Sequence, residues 1–211
     1  YETFIKGVHE KSLIEIVKFF YSIPILKKEP ISNILKYCLR TSKKILGTKE
    51  FVLPYGENLN CYVFVKSGLV KAYYPIKINK YILKNINKIS EEKFIKVMID
   101  MQSKTIGDGN DDKSIYEEII DIMEFGPMDI IGEYYASNGT KLDVYLLPHV
   151  PSEILYFKLE YIHEINQKLF DAIKKYSAPI FDSERVYKKL YHNLVWKADK
   201  KNLLNNLKKY K

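Results

Sequence analysis

The sequence predicts an α+β chain whose mainly β, antiparallel core is flanked by N- and C-terminal helices. Three observations carry that class. β-rich runs punctuated by Gly56 and Gly68 occupy residues 51–73, further apolar runs follow at 119–123, 142–147 and 153–157, and apolar residues recur at helical spacing towards both ends. At 211 residues and 46% hydrophobic, the chain can bury a sizeable core as one domain or as one domain with helical extensions.

Ser12-Leu13-Ile14-Glu15 matches a capping box, and Leu13, Ile16, Val17 and Phe20 then follow at helical spacing. Ile23-Pro24-Ile25-Leu26 interrupts this first helix. Pro30 suits a first helical turn, behind which Ile31, Ile34, Leu35, Cys38 and Leu39 line one face. Phe51-Val52-Leu53 and the two runs on either side of Lys66-Ser67-Gly68 predict three short antiparallel strands, with Gly68 supplying the positive φ of a tight hairpin. Residues 76–118 interrupt the β pattern. Within them Phe94, Ile95, Val97, Met98 and Met101 predict a short helix over Glu91–Met101, and Gly107–Asp112 reads as a flexible acidic loop. A calcium loop counted from Asp108 would need Gly at 113 and Glu at 119, where Lys113 and Ile119 stand, so the spacing fails.

The second half carries the densest signal. In Phe125-Gly126-Pro127-Met128-Asp129-Ile130-Ile131-Gly132-Glu133, a glycine and a carboxylate directly follow an apolar run. A helix starting near Gly132 would point unpaired N–H groups outward, an arrangement suited to a phosphate, with Glu133 available to a sugar hydroxyl. Leu142–Leu147 and Glu153–Phe157 read as the last strands, with Pro148 and Pro151 marking a turn between them. Leu159, Ile162, Ile165, Leu169, Phe170, Ile173 and Tyr176 predict an amphipathic helix ending before Pro179. Another is expected from about Ser183, with Val186, Tyr187, Leu190, Tyr191 and Leu194 on one side.

Composition narrows the function classes. The net charge of +8 and pI near 9.1 admit an acidic partner, but the basic residues are spread along the chain and no nucleic acid is expected. Lysine outnumbers arginine so strongly, with only Arg40 and Arg185 present, that the charge reflects codon bias as much as function. Cys38 and Cys61 lack zinc spacing, and a disulfide framework or metal site is not expected. A reducing, cytoplasmic compartment is. No apolar run reaches the length of a membrane span, and the chain, which begins at Tyr1, reads as a piece of a longer protein. His9, His149, His163 and His192 are scattered, with no metalloprotease motif, nucleophile elbow or Walker-type loop, so the expected class is binding rather than enzyme.

Taken together, Gly56, Gly68 and the Gly132-Glu133 cassette resemble the cyclic nucleotide-binding domain family over roughly residues 20 to 165. The resemblance implies an antiparallel β-roll (jelly roll) carrying a phosphate-binding cassette. It divides the chain into a helical entry (1–45), the first half of the roll (46–75), an insertion (76–118), the second half with the cassette (119–158) and C-terminal helices (159–211). It further implies cAMP or cGMP as ligand and no other cofactor. Glu133 would accept the ribose 2′-hydroxyl, backbone N–H groups around Gly132, Tyr135 and Ala136 would meet the cyclic phosphate, and Lys141 would supply the charge. An aromatic from the C-terminal helices, Tyr161, Tyr187, Tyr191 or Trp196, would stack on the purine. Partners would be other domains of a larger parent or a second protein, reached through the C-terminal helices.

Two departures keep an alternative open. Lys141 stands where the family usually has an arginine, and a lysine offers a point charge instead of a two-pronged fork. Tyr134-Tyr135 stands where small residues are usual. A degenerate copy that kept the roll as a protein-interaction scaffold accounts for both.

Overall fold

The computed structural model describes residues 2–104, 115–164 and 166–209. They group into two compact units, Tyr1–Tyr73 with Met123–Ile180 and Tyr74–Ile122 with Phe181–Lys211. A five-stranded sheet has the order β1 (Thr41–Leu46), β5 (Tyr145–Lys158), β2 (Cys61–Asn79) and β3 (Ile115–Phe125), with the short β4 (Ile130–Ile131) also paired to β2. The fold is mixed α+β with a β core, as the sequence predicts.

In the first unit, helices α1 (Glu2–Ser22) and α2 (Ile31–Leu39) close one end of the sheet. Ile16 and Phe20 of α1, Ile23 and Leu26 of the connecting turn, and Ile34, Tyr37 and Cys38 of α2 share a core with Tyr62, Phe64, Leu155 and Phe157 of the sheet. Phe20 meets Phe64 edge-on, ring centroids 5.1 Å apart. Cys38 is a buried apolar filler there, its thiol pushed up to about 12 by burial. α6 (Gln167–Tyr176) contributes Leu169 and Ile173 to the same core.

Several local expectations change. α1 begins ten residues before Ser12, which lies inside the helix: a serine cap is worth about 1 kcal/mol and is outweighed by continuing the backbone ladder upstream. Phe51–Leu53 is not a strand. Its backbone follows residues 142–146 through single contacts, Val52 N–H donating to Leu146 O at 2.9 Å and Gly56 N–H to Leu142 O at 2.7 Å.

The predicted hairpin at Gly68 is a bulge in one continuous strand, β2, whose register against β5 shifts three times between Val65 and Val70. Gly68 has φ +94°, and a Cβ there would lie 2.7 Å from Ser152 Cα, so glycine lets two strands approach. Buried Ser152 accepts the Leu69 N–H at 3.1 Å and donates to Val150 O at 2.7 Å, which serves polar groups the bulge would leave unpaired. β5 is likewise continuous through Pro148 and Pro151. Pro148 faces Val70 and Pro151 lies opposite the irregular stretch, where missing N–H donors disturb the ladder least.

The second unit contains α3 (Lys80–Lys84), a 3-10 turn at Ile86–Lys88, α4 (Glu91–Lys104) and α7 (Ser183–Lys209). Residues of the expected insertion thus fall in one unit with the C-terminal helix, and α4 covers the helix expected over Glu91–Met101. Phe94 and Met98 of α4 and Val186, Tyr187, Leu190 and Leu194 of α7 are buried. Gln102 links two phenols: its amide donates to Tyr74 Oη at 2.6 Å and its carbonyl accepts from Tyr187 Oη. The acidic loop at Gly107–Asp112 lies outside the described residues. The C-terminal segment also departs from expectation, because Leu159–Glu164 is a 3-10 turn and regular helix starts only at Gln167, capped by the Asn166 side chain.

Gly68→Ala should cost about 2–4 kcal/mol of stability in urea denaturation, because neither the positive φ nor the contact with Ser152 accepts a methyl group. Gly126→Ala, where a Cβ meets nothing, should cost far less.

Candidate functional site

The turn before the cassette is tied down before the site begins. Met128 N–H donates to Val65 O at 2.9 Å, Val65 N–H donates to Asp129 O at 3.1 Å, and the Asp129 carboxylate accepts the Gly126 N–H at 2.7 Å. Met128 adopts φ 78°, a conformation rare for a non-glycine residue, inside this closed turn. β4 follows, and Gly132 then turns the chain at φ 85° into the short helix α5 (Glu133–Asn138). Its positive φ calls for glycine, and a Cβ there would in addition press on the Leu59 side-chain tip, Cδ1 lying 2.7 Å away. Gly139, also left-handed, ends the helix.

Glu133 opens α5 and borders two cavities. One of 150 Å³ is enclosed by Met123, Phe125, the 132–135 backbone turn and Ala178-Pro179-Ile180. The other, a cleft of 330 Å³, lies against Ile23–Ile25, Met128–Ile130 and Ile173. Burial raises the Glu133 carboxyl to about 7, with Asp129 adding to the rise and the residue's own N–H opposing it. No lysine or arginine is among the described residues lining either cavity.

The expected ligand residues separate here. Gly132, Glu133 and Tyr135 all border the smaller cavity. The Ala136 N–H is already used, donating to Gly132 O at 2.9 Å as the first helical bond. Lys141 is exposed, forms an isolated bridge with Asn58 and lines neither cavity. Of the aromatics considered for stacking, Tyr161 carries Arg40 over its ring at 4.7 Å, Tyr187 and Tyr191 bond within the second unit, and Trp196 is 62% exposed. None lines a cavity with Glu133.

Sequence reasoning flagged the bulk of Tyr135 but missed what its hydroxyl joins. Tyr135 is buried, and its hydroxyl donates to Asp143 at 2.6 Å while accepting the Ile180 N–H at 3.2 Å. This relay holds the Ala178–Ile180 segment over the smaller cavity. Tyr62 Oη, 3.0 Å from Ser137 Oγ, fixes the other side of α5. Asp129 was legible as a turn residue from Gly126-Pro127-Met128-Asp129, but nothing near Asp143 or Ile180 in sequence announces their shared phenol. Among the described residues no group of three or more His, Cys, Asp or Glu could hold a metal ion. His149 is exposed, and His192 stands 3.1 Å from Glu91.

Known structures bear on this arrangement. No family model matches the sequence, and no curated protein does. Among solved structures, the regulatory domain of Toxoplasma gondii PKA with cAMP superposes with TM-score 0.57 at 13% identity, over 81% of this chain and 51% of that one. The chain has the cyclic nucleotide-binding fold. The regulatory subunit of a cAMP-independent protein kinase A from Trypanosoma cruzi, bound to guanosine, matches with TM-score 0.54 at 13% identity, over 94% of this chain and 54% of that one. The corresponding subunit from Trypanosoma brucei matches with TM-score 0.53 at 15% identity, over 81% and 51%. The chain therefore spans about half the length of these structures, and the likeness is one of fold.

Two measurements follow from the site. Between pH 4.5 and about 7 the folded chain keeps a proton on Glu133 that the unfolded chain has released, so stability should fall as pH rises through that window. Glu133→Gln should flatten this dependence, being more stable than the parent by about 1–3 kcal/mol at pH 8 and equal to it at pH 4. Tyr135→Phe should lose about 1–3 kcal/mol and speed hydrogen exchange at the Ile180 amide, since one hydroxyl serves both partners.

Proposed function

We propose that the protein is a regulatory module of the cyclic nucleotide-binding fold that responds to a nucleoside, held by Glu133 through the ribose hydroxyls, rather than to a cyclic phosphate. One observation carries this reading: a carboxyl stands at the head of α5 while no lysine or arginine is among the described residues that line either cavity it faces. A cyclic phosphate would bring a negative charge beside Glu133 and Asp129. Where Glu133 is ionised, above about pH 7, that repulsion at about 4 Å and an effective dielectric near 20 is on the order of 4 kcal/mol, and no lysine or arginine among the described lining residues offsets it. A ribose instead donates hydroxyl hydrogens to the carboxylate and adds no charge. The similar T. cruzi subunit, cAMP-independent and bound to guanosine, supports the same chemistry.

Ligand entry to the smaller cavity requires Ala178–Ile180 to move, because 150 Å³ is below the roughly 300–1,000 Å³ of ligand pockets. Tyr135 is the latch on that segment, which continues along the chain into α7. Binding would thus trade the Tyr135–Ile180 bond for ligand contacts, and this is the relay towards the C-terminal helices. A second reading, the degenerate scaffold, is favoured by the same latch, since a closed cavity filled by a phenol needs no ligand.

Calorimetry with guanosine, adenosine, cAMP and cGMP separates these readings. Either nucleoside should bind at least about tenfold more tightly than its cyclic nucleotide, a difference of about 1.4 kcal/mol. Glu133→Ala should remove binding and Lys141→Arg should leave it unchanged. Heat from none of the four ligands would favour the scaffold. Tighter binding of cAMP or cGMP, strengthened by Lys141→Arg, would restore the cyclic phosphate contact.

A further inference from the structure

Helix α7 has two apolar faces, and the second unit covers one of them. Val186, Leu190 and Leu194 are buried. Beyond them every residue from 201 to 208 is exposed, and Trp196, Leu203, Leu204 and Leu207 are 62%, 64%, 49% and 64% accessible. At about 100° per residue, these four fall in a sector about 100° wide, centred about 110° round the helix from the Leu190 and Leu194 side, with Leu204 on the edge nearer to it. Lys200 Nζ stands 4.9 Å from the Trp196 ring centroid, along the same sector. Asp199, about 60° round the helix from Trp196, accepts from Asn87 at 3.1 Å. Residues 200–211 hold five lysines and no Asp or Glu.

We propose that the C-terminal half of α7 is a docking helix for a partner protein that offers an apolar groove rimmed by carboxylates. Spacing and charge argue for that occupant. Trp196, Leu203, Leu204 and Leu207 stand at i, i+7, i+8 and i+11, the anchor pattern of a helix laid in a groove. Exposed Lys201 and Lys208 border the leucines and call for acidic rims. A second copy of this chain fits less well, since its own α7 brings the same lysines, and of its two acids Glu184 lies in the first turn and Asp199 already accepts from Asn87. A lipid surface fits less well because the polar side carries Asn202, Asn205 and Asn206 with a single lysine, Lys209, whereas helices lying on anionic membranes are rich in Lys and Arg there.

Trp196 is the only tryptophan and reports its own burial. The test titrates calcium-loaded calmodulin, an acidic, methionine-lined helix groove, into the full chain while following tryptophan emission. A saturable shift to shorter wavelength at one-to-one stoichiometry is expected, lost when calcium is chelated. Leu203→Asp with Leu207→Asp should abolish it, and Lys201→Glu with Lys208→Glu should weaken it by about tenfold or more. All four positions are exposed, so the variants should keep the parent's Tm. The proposal is overturned if calmodulin gives no shift at micromolar concentration or if the leucine variants bind like the parent. It is equally overturned if phosphatidylserine vesicles or self-association produce the shift instead.

Discussion

The left-handed turn at Gly132 is the constraint on which the start of α5 depends. At φ 85° the chain adopts a conformation that favours glycine, and the Leu59 side-chain tip, 2.7 Å from where a Cβ would sit, adds to that preference. That single turn converts β4 into α5 within one residue and points Glu133 at both cavities. The turn upstream, pinned to Val65 from two sides, removes the slack that would let α5 reorient. The functional geometry is thus set by backbone packing, and the side chains of the site inherit it.

Electrostatics then decide what the site accepts. Burial lifts the Glu133 carboxyl to about 7 and Asp129 acts in the same direction, while no lysine or arginine is among the described residues of either lining. A site in this state favours groups that donate hydrogen bonds without bringing negative charge. The same carboxylate is a cost to folding at neutral pH. Tyr135 completes the arrangement: one hydroxyl joins the cassette helix to Asp143 and to the segment covering the smaller cavity.

The sheet shows how local irregularity is absorbed when every polar group finds a partner. Gly68 disrupts β2, two prolines withhold donors from β5, and both defects fall on the same stretch of the ladder, where Ser152 serves the exposed backbone groups. Concentrating the irregularities in one place lets both strands continue as single elements.

Sequence by itself determined the class of the fold, the helical pair around Ile23–Leu26, the helices at Glu91 and Ser183, and the glycine-carboxylate start of α5. Each of these rests on periodicity or on a residue whose backbone preference is local, and local signals are readable from neighbours along the chain. Tertiary structure decided the rest. Gly68 marks a hairpin or a bulge with equal local comfort, and Ser152, far away in sequence, selects the bulge. Lys141 follows the cassette at a plausible distance along the chain, yet its exposed place beside Asn58 keeps it out of both cavities. Tyr135 reads as an obstruction in sequence and becomes a latch only because Asp143 and Ile180 converge on its hydroxyl. Contacts of this kind join residues whose separation along the chain carries no pattern, so packing creates them and packing alone reveals them.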